Sequence, residues 1–165
     1  MKNKLFLSLF LYLLGVSFYA NAQEQIAVPR FVSLKMGEVN LRTGPGGRYP
    51  IKYVYKKKHY PVEIIDEYEL WRQIREIDGT VGWVHRRMLT GIRYVLLKND
   101  TDVFKKADIS SKIKAYVTKD VVAKVEKCPA KNDFCELEFE YGEKTLTGWV
   151  KRDVLYGLYP NEVIK

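Results

Sequence analysis

The chain is short of the side chains that most often carry chemistry. Its 165 residues include two cysteines, Cys128 and Cys135, and two histidines, His59 and His85. A structural zinc site takes four ligands and a thiol nucleophile needs a histidine partner, and neither histidine lies close in sequence to the cysteines. No metal, no cofactor and no catalytic residue is therefore expected. Long apolar runs are also missing beyond Tyr19, so nothing downstream is suited to a membrane-spanning helix. No stretch carries a helical period for more than two turns, which leaves an all-β chain as the expected class.

The one long apolar run sits at the start. Lys2 and Lys4 precede Leu5 to Tyr19, and Ala20-Asn21-Ala22 supplies the small residues that a signal peptidase requires. Residues 1–22 read as a secretory signal peptide, with an uncleaved anchor as the alternative. The run falls short of the roughly 20 apolar residues that cross a bilayer. No cysteine follows it to take a lipid. The exported chain, periplasmic or secreted, would begin at Gln23. The net charge of +8 falls to +6 without Lys2 and Lys4, and export removes nucleic acid from the candidate partners. Two readings of that charge stay open, a solubilising surface or attraction to anionic envelope polymers.

In an oxidising compartment, an even pair of cysteines around the short turn Pro129 to Phe134 reads as a disulfide pinning a hairpin. Closing so short a loop contributes about 2 kcal/mol.

What the chain does have is a duplication. Thr80-Val81-Gly82-Trp83-Val84 is answered by Thr147-Gly148-Trp149-Val150, and the two tryptophans stand 66 residues apart (149 minus 83). Short β-branched or aromatic runs precede each copy. In the first half they are Val39–Arg42, Ile51–Tyr55, Pro61–Ile65 and Leu70–Ile77, with Asp78-Gly79 read as a two-residue hairpin turn. In the second half Thr101–Phe104, Lys112–Val117 and Lys124–Cys128 answer the first three, and Phe134 falls near the place of Trp71. Glu136 to Tyr141 alternates acidic and apolar residues at period two, as a half-buried strand should.

Val39-Asn40-Leu41-Arg42-Thr43-Gly44-Pro45-Gly46, then Tyr49-Pro50-Ile51, Trp71 and Gly82-Trp83-Val84, resemble the bacterial SH3-like domain. Two such units behind a signal peptide resemble exported SH3-like proteins of Gram-negative bacteria. The resemblance implies two tandem small SH3-like barrels of five to six short antiparallel strands each. The boundaries are an N-terminal extension at 23–30, a first domain at 31–92, a divergent second at 93–160 and a tail at 161–165. In the second, Phe104-Lys105-Lys106-Ala107-Asp108 has lost both glycines and the proline of the first loop.

Fold-building roles are expected for Asn40, Gly44, Pro45, Gly46, Gly82, Trp83, Gly148 and Trp149. Gly44 and Gly46 would adopt backbone conformations closed to other residues, Asn40 would bond nearby backbone, and Trp83 would cover an open end of its barrel. Arg42, Arg48, Tyr49, Tyr55, Trp71 and Arg72 are the candidate ligand residues, because aromatic faces beside positive charge suit an extended peptide with acidic groups. Two functional classes follow from the resemblance. One is a non-catalytic module that recognises a cell-wall peptide or an envelope protein. The other is an assembly subunit of an envelope complex. An enzyme built on Glu136, Glu138 and Glu140 is the weakest reading, since alternating acids are the ordinary solvent face of a strand.

N-terminal sequencing of the exported protein is expected to begin at Gln23, and an intact mass that retains Met1 to Ala22 would establish the anchored alternative.

Overall fold

A computed structural model describes residues 27–165, so the proposed leader and its cleavage point lie outside the described residues. Fourteen strands form two antiparallel sheets of seven. The first sheet holds β1 (Arg30–Leu34), β2 (Val39–Arg42), β3 (Ile51–Tyr55), β4 (Pro61–Tyr68), β5 (Trp71–Arg75), β6 (Val81–His85) and β7 (Leu89–Thr90). The second holds β8 (Tyr94–Leu97), β9 (Thr101–Phe104), β10 (Ile113–Val117), β11 (Val122–Lys127), β12 (Phe134–Tyr141), β13 (Lys144–Lys151) and β14 (Leu155–Tyr156). The strand order is β3-β2-β6-β5-β4-β1-β7 in one and β10-β9-β13-β12-β11-β8-β14 in the other. Each position in the second sheet is thus taken by the strand seven later in the chain. The only helical pieces among the described residues are single 3₁₀ turns, Arg86–Met88 and Arg152–Val154, each following the closing strand of its sheet. No helix is long and apolar enough to cross a membrane among these residues.

The sequence period explains how each sheet buries one face. In β2, Val39 and Leu41 are buried while Asn40 is exposed. In β12, Leu137 and Phe139 point inward, and Glu136 and Glu138 lie outward opposite lysines of β11. Glu136 meets Lys127 at 3.1 Å and Glu138 meets Lys124 at 3.9 Å. Those acids form cross-strand ion pairs on a half-exposed face, the ordinary arrangement for charges that alternate along an antiparallel pair.

The closing strands reverse one expectation. In β6, Gly82 and Val84 are buried and Trp83 lies half-buried on the opposite face. Trp83 therefore does not cap the core. It is the glycine that matters to packing: a Cβ on Gly82 would lie 2.6 Å from Leu41 Cγ, and one on Gly148 2.4 Å from Val103 Cγ1. In both sheets the inward position of the closing strand is filled by a side chain from the neighbouring strand. Trp149 likewise lies half-buried, with Lys127 Nζ 5.2 Å from its ring centroid.

A second difference concerns the turn after β5. Glu76 N–H donates to Thr80 C=O, Gly79 N–H donates to Glu76 C=O, and Gly79 sits at φ +85°. Three residues, not two, make the connection, a type I turn followed by a left-handed glycine. The first strand of each sheet, β1 and β8, was absent from the sequence reading. Arg30–Leu34 begins inside the stretch assigned to the N-terminal extension, and Ser33 interrupts its apolar character. Ser33 is nevertheless fully buried, its Oγ accepting the Tyr94 N–H at 3.1 Å.

That bond belongs to a seam between the sheets. The Phe31 ring meets Tyr156 edge-on at 5.3 Å and Tyr159 at 4.9 Å, and His59 stacks on Tyr94 at 3.9 Å. Glu63, 8% exposed, accepts from Arg75 Nε at 3.0 Å, Arg75 Nη2 at 2.7 Å and Tyr159 O–H at 2.7 Å. Gly157, at φ +110°, brings its backbone so close to the first sheet that a Cβ would lie 2.9 Å from Pro61 Cβ. The disulfide joins Cys128 and Cys135, at the end of β11 and in β12, as the sequence indicated. The tail is tied in beside it by paired backbone bonds between Cys128 and Ile164.

Two stability measurements follow. Gly82→Ala is expected to cost about 1–3 kcal/mol in denaturant unfolding, because Leu41 must leave its position. Burial, and then the neighbouring Asp78 carboxylate, push the Glu76 carboxyl up to about 7, against a smaller opposing effect of Lys52. Glu76 thus favours its proton in the folded state, and its contribution is lost as pH rises from its ordinary value through 7. Glu76→Gln should raise the melting temperature relative to the parent at pH 8 and lose that advantage below pH 4.5.

Candidate functional site

Strand pairing gathers side chains that the sequence keeps far apart. Trp71 of β5 lies opposite His85 of β6, Trp83 lies opposite both Gln73 of β5 and Arg42 of β2, and Arg42 and Asn40 share a face. The outer surface of these three strands, with the 3₁₀ turn at its corner, forms a shallow hollow of about 350 Å³ lined by Glu38, Asn40, Arg42, Trp71, His85 and Met88. It offers a carboxylate, an amide, a guanidinium, an indole, an imidazole and a thioether within one concavity.

Each group is held by its neighbours. Arg42 Nη1 donates to the Tyr49 carbonyl at 2.8 Å, tying the 43–50 loop to β2. The Tyr49 ring is seated on the glycines of that loop: a Cβ on Gly44 would lie 2.4 Å from Tyr49 Cδ1, and one on Gly46 3.2 Å from Cδ2. Neither glycine is at positive φ, so both serve by leaving room for a ring and not by adopting an unusual backbone conformation. Arg48 reaches over the same ring, its Cζ 5.5 Å from the centroid. His85 accepts the Arg87 N–H on Nδ1 at 3.2 Å, which leaves Nε2 to carry the proton. Burial, followed by the charges of Arg87, Arg86 and Arg72, holds the His85 pKa below its ordinary value, so the ring is neutral at neutral pH. Trp71 packs edge-on against it at 5.3 Å.

Of the six residues proposed from sequence, Arg42 and Trp71 line the hollow, while Arg48 and Tyr49 stand on the loop that Arg42 ties down. Tyr55 does not join them: it is 7% exposed within the core, next to Tyr53 and Tyr60. Arg72 is also engaged elsewhere, pairing with Glu67 at 3.1 Å and donating to the Glu69 and Trp71 carbonyls. Its place in β5 puts it on the face opposite Trp71. Asn40, expected to bond backbone, is instead exposed at the rim. Glu38, His85 and Met88 were not singled out. Period-two alternation places His85 on the face of Trp83, but only the β5–β6 register shows that it meets Trp71.

Among the described residues, no group of three or more His, Cys, Asp or Glu side chains is arranged to hold a metal ion. A larger hollow, of about 580 Å³, lies on the second sheet.

Comparison with known proteins places the first hollow in a family context. Residues 35–91 match the sequence profile of the family described as Bacterial SH3 domain. No curated protein matches the chain. Two solved structures, of NlpC2 and NlpC1 from Trichomonas vaginalis, resemble it over 80% and 81% of its length, at 14% and 15% identity and a TM-score of 0.35 each. This chain spans about half of each of them, 49% and 48%.

Proposed function

We propose that this chain, whose residues 35–91 are a bacterial SH3 domain, is an exported, non-catalytic binding protein that recognises a cell-wall peptide through the hollow of its first sheet. The observation that carries this reading is the convergence of Trp71, Arg42 and His85 in one shallow concavity. A flat indole beside a guanidinium suits an extended chain with carboxylates. The protonated Nε2 of His85 adds a neutral donor, and the Glu38 carboxylate and Asn40 amide can meet backbone N–H groups of the ligand. Bacterial SH3 domains are associated with cell-wall components, and the disulfide fits a chain that works outside the cytoplasm.

The hollow is open, so affinity should be modest and depend on few side chains. Binding of purified sacculi tests the reading. Trp71→Ala and Arg42→Glu are each expected to lower retention about tenfold or more, as loss of an anchoring side chain does. Arg48→Ala, on an exposed part of the loop, should change it less. Circular dichroism of each variant separates loss of the site from loss of the fold. If the parent protein is not retained on sacculi at low salt, and an envelope protein is recovered with it instead, the assembly-subunit reading replaces this one.

A further inference from the structure

The second sheet carries a hollow at the same corner as the first, with different chemistry. Phe134 of β12 pairs with Lys151 of β13 as Trp71 pairs with His85, and the 3₁₀ turn Arg152–Val154 follows as Arg86–Met88 does. Both Phe134 and Lys151 line the 580 Å³ hollow, whose floor is completed by Leu155, Leu158 and Pro160. Ile109, 63% exposed, stands at its edge on the loop that replaces the Gly-Pro-Gly segment. A volume of this size accommodates a segment of a few residues.

Its walls are fixed before any ligand arrives. Arg152 donates from Nε to the Asn132 carbonyl at 2.9 Å, from Nη2 to Pro129 at 2.8 Å and from Nη1 to Glu162 at 2.7 Å. One guanidinium thereby holds the disulfide loop on one side and the tail on the other. The tail is further held by Glu162, which accepts the Tyr159 N–H and pairs with Arg93.

The charges facing the hollow are of both signs and are left unspent. Lys98, Lys151, Asp133 and Asp153 line it, and none of their side chains forms a hydrogen bond or an ion pair among the described residues. Arg152 has its donors committed to backbone carbonyls. Two lysines and two aspartates that do not neutralise one another, around an apolar floor, are complementary to a ligand that itself carries both signs.

We propose that this second hollow binds a short dipolar peptide segment, with an apolar side chain on Phe134 and Leu158, a carboxylate toward Lys98 or Lys151, and an ammonium toward Asp133 or Asp153. It is a site separate from that of the first sheet and takes a ligand of different charge character.

The test is an amide-resolved NMR titration of the chain from Gln23, using the free-ended tripeptide Glu-Leu-Lys and, as control, the capped neutral acetyl-Gln-Leu-Gln-amide. The dipolar peptide should shift the amides of Phe134, Lys151 and Leu158 with a dissociation constant on the order of 1 mM. The control should bind at least about fivefold more weakly. Lys151→Glu and Ile109→Asp, both at positions outside the core, should each weaken the response about fivefold while leaving the dispersion of the spectrum intact. The proposal is overturned by the absence of shifts up to about 10 mM peptide, by an equal response to the capped control, or by shifts confined to Arg42, Trp71 and His85. Retention on sacculi through Trp71 is read separately, so failure of either site leaves the other's result standing.

Discussion

Glu63 is the constraint around which the two sheets are arranged. A carboxylate this deeply buried needs its charge and lone pairs answered, and half of the answer comes from the other sheet. Arg75, directly across from Glu63 on the neighbouring strand β5, supplies the counter-charge, and the Tyr159 hydroxyl from beyond β14 supplies the remaining donor. Around that point Phe31 is enclosed by Tyr156 and Tyr159, Ser33 receives the Tyr94 amide, and Gly157 permits backbone to approach Pro61. Separating the sheets would leave a buried carboxylate one donor short and expose several aromatic faces. With only Gly91 to Arg93 between β7 and β8, the chain has little freedom to relieve that loss in another way.

The seam also decides what is left for binding. It consumes β1, part of β4 and the β14 end of the second sheet. The outer face of β2, β6 and β5 remains clear, and there the first hollow forms. The second hollow lies nearer the seam, because Tyr159 borders both. The two sites therefore differ in support: the first is shaped by a loop folded over Tyr49, the second by a tail drawn back against its own sheet. Where the first presents an indole, a neutral imidazole and a guanidinium, the second presents a phenyl ring and lysines. The two sheets differ at these hollows and also in the core, where Leu41 stands against Gly82 and Val103 against Gly148, while the inward glycine and the disposition of the strands are common to both.

The all-β class, most of the strand positions along the chain and the disulfide were legible in the sequence because each rests on a local signal. Period-two alternation marks Val39–Arg42 and Glu136–Tyr141 whatever they pack against, and two cysteines seven residues apart around a short turn are natural partners for each other. The first strands were not legible, since Arg30–Leu34 contains a serine whose burial is justified only by an amide 61 residues away. The tryptophans misled for a related reason. The motif suggested that Trp83 covers an open end of its barrel, yet parity along β6 gives the interior to Gly82 and Val84, and the inward space is taken by Leu41 from a strand distant in sequence. At the candidate site, composition identified Arg42 and Trp71 but could not separate them from Tyr55 and Arg72, which carry the same chemistry on the other face. Telling them apart requires strand register, a long-range property.

Arg152 shows what kind of wall the second hollow has. Its charge is met by the carbonyl dipoles of Pro129, Asn132 and Glu162 and not by a carboxylate, so no acid need ionise for the clamp to hold. Mobile counter-ions compete with exposed ion pairs, but they do little against three directed bonds to partly buried backbone. The two supports of that wall should consequently part company on acidification: the Arg152 bonds to backbone carbonyls persist, while the Glu162 carboxylate loses its pairing with Arg93, so the disulfide-loop side of the hollow outlasts the tail side.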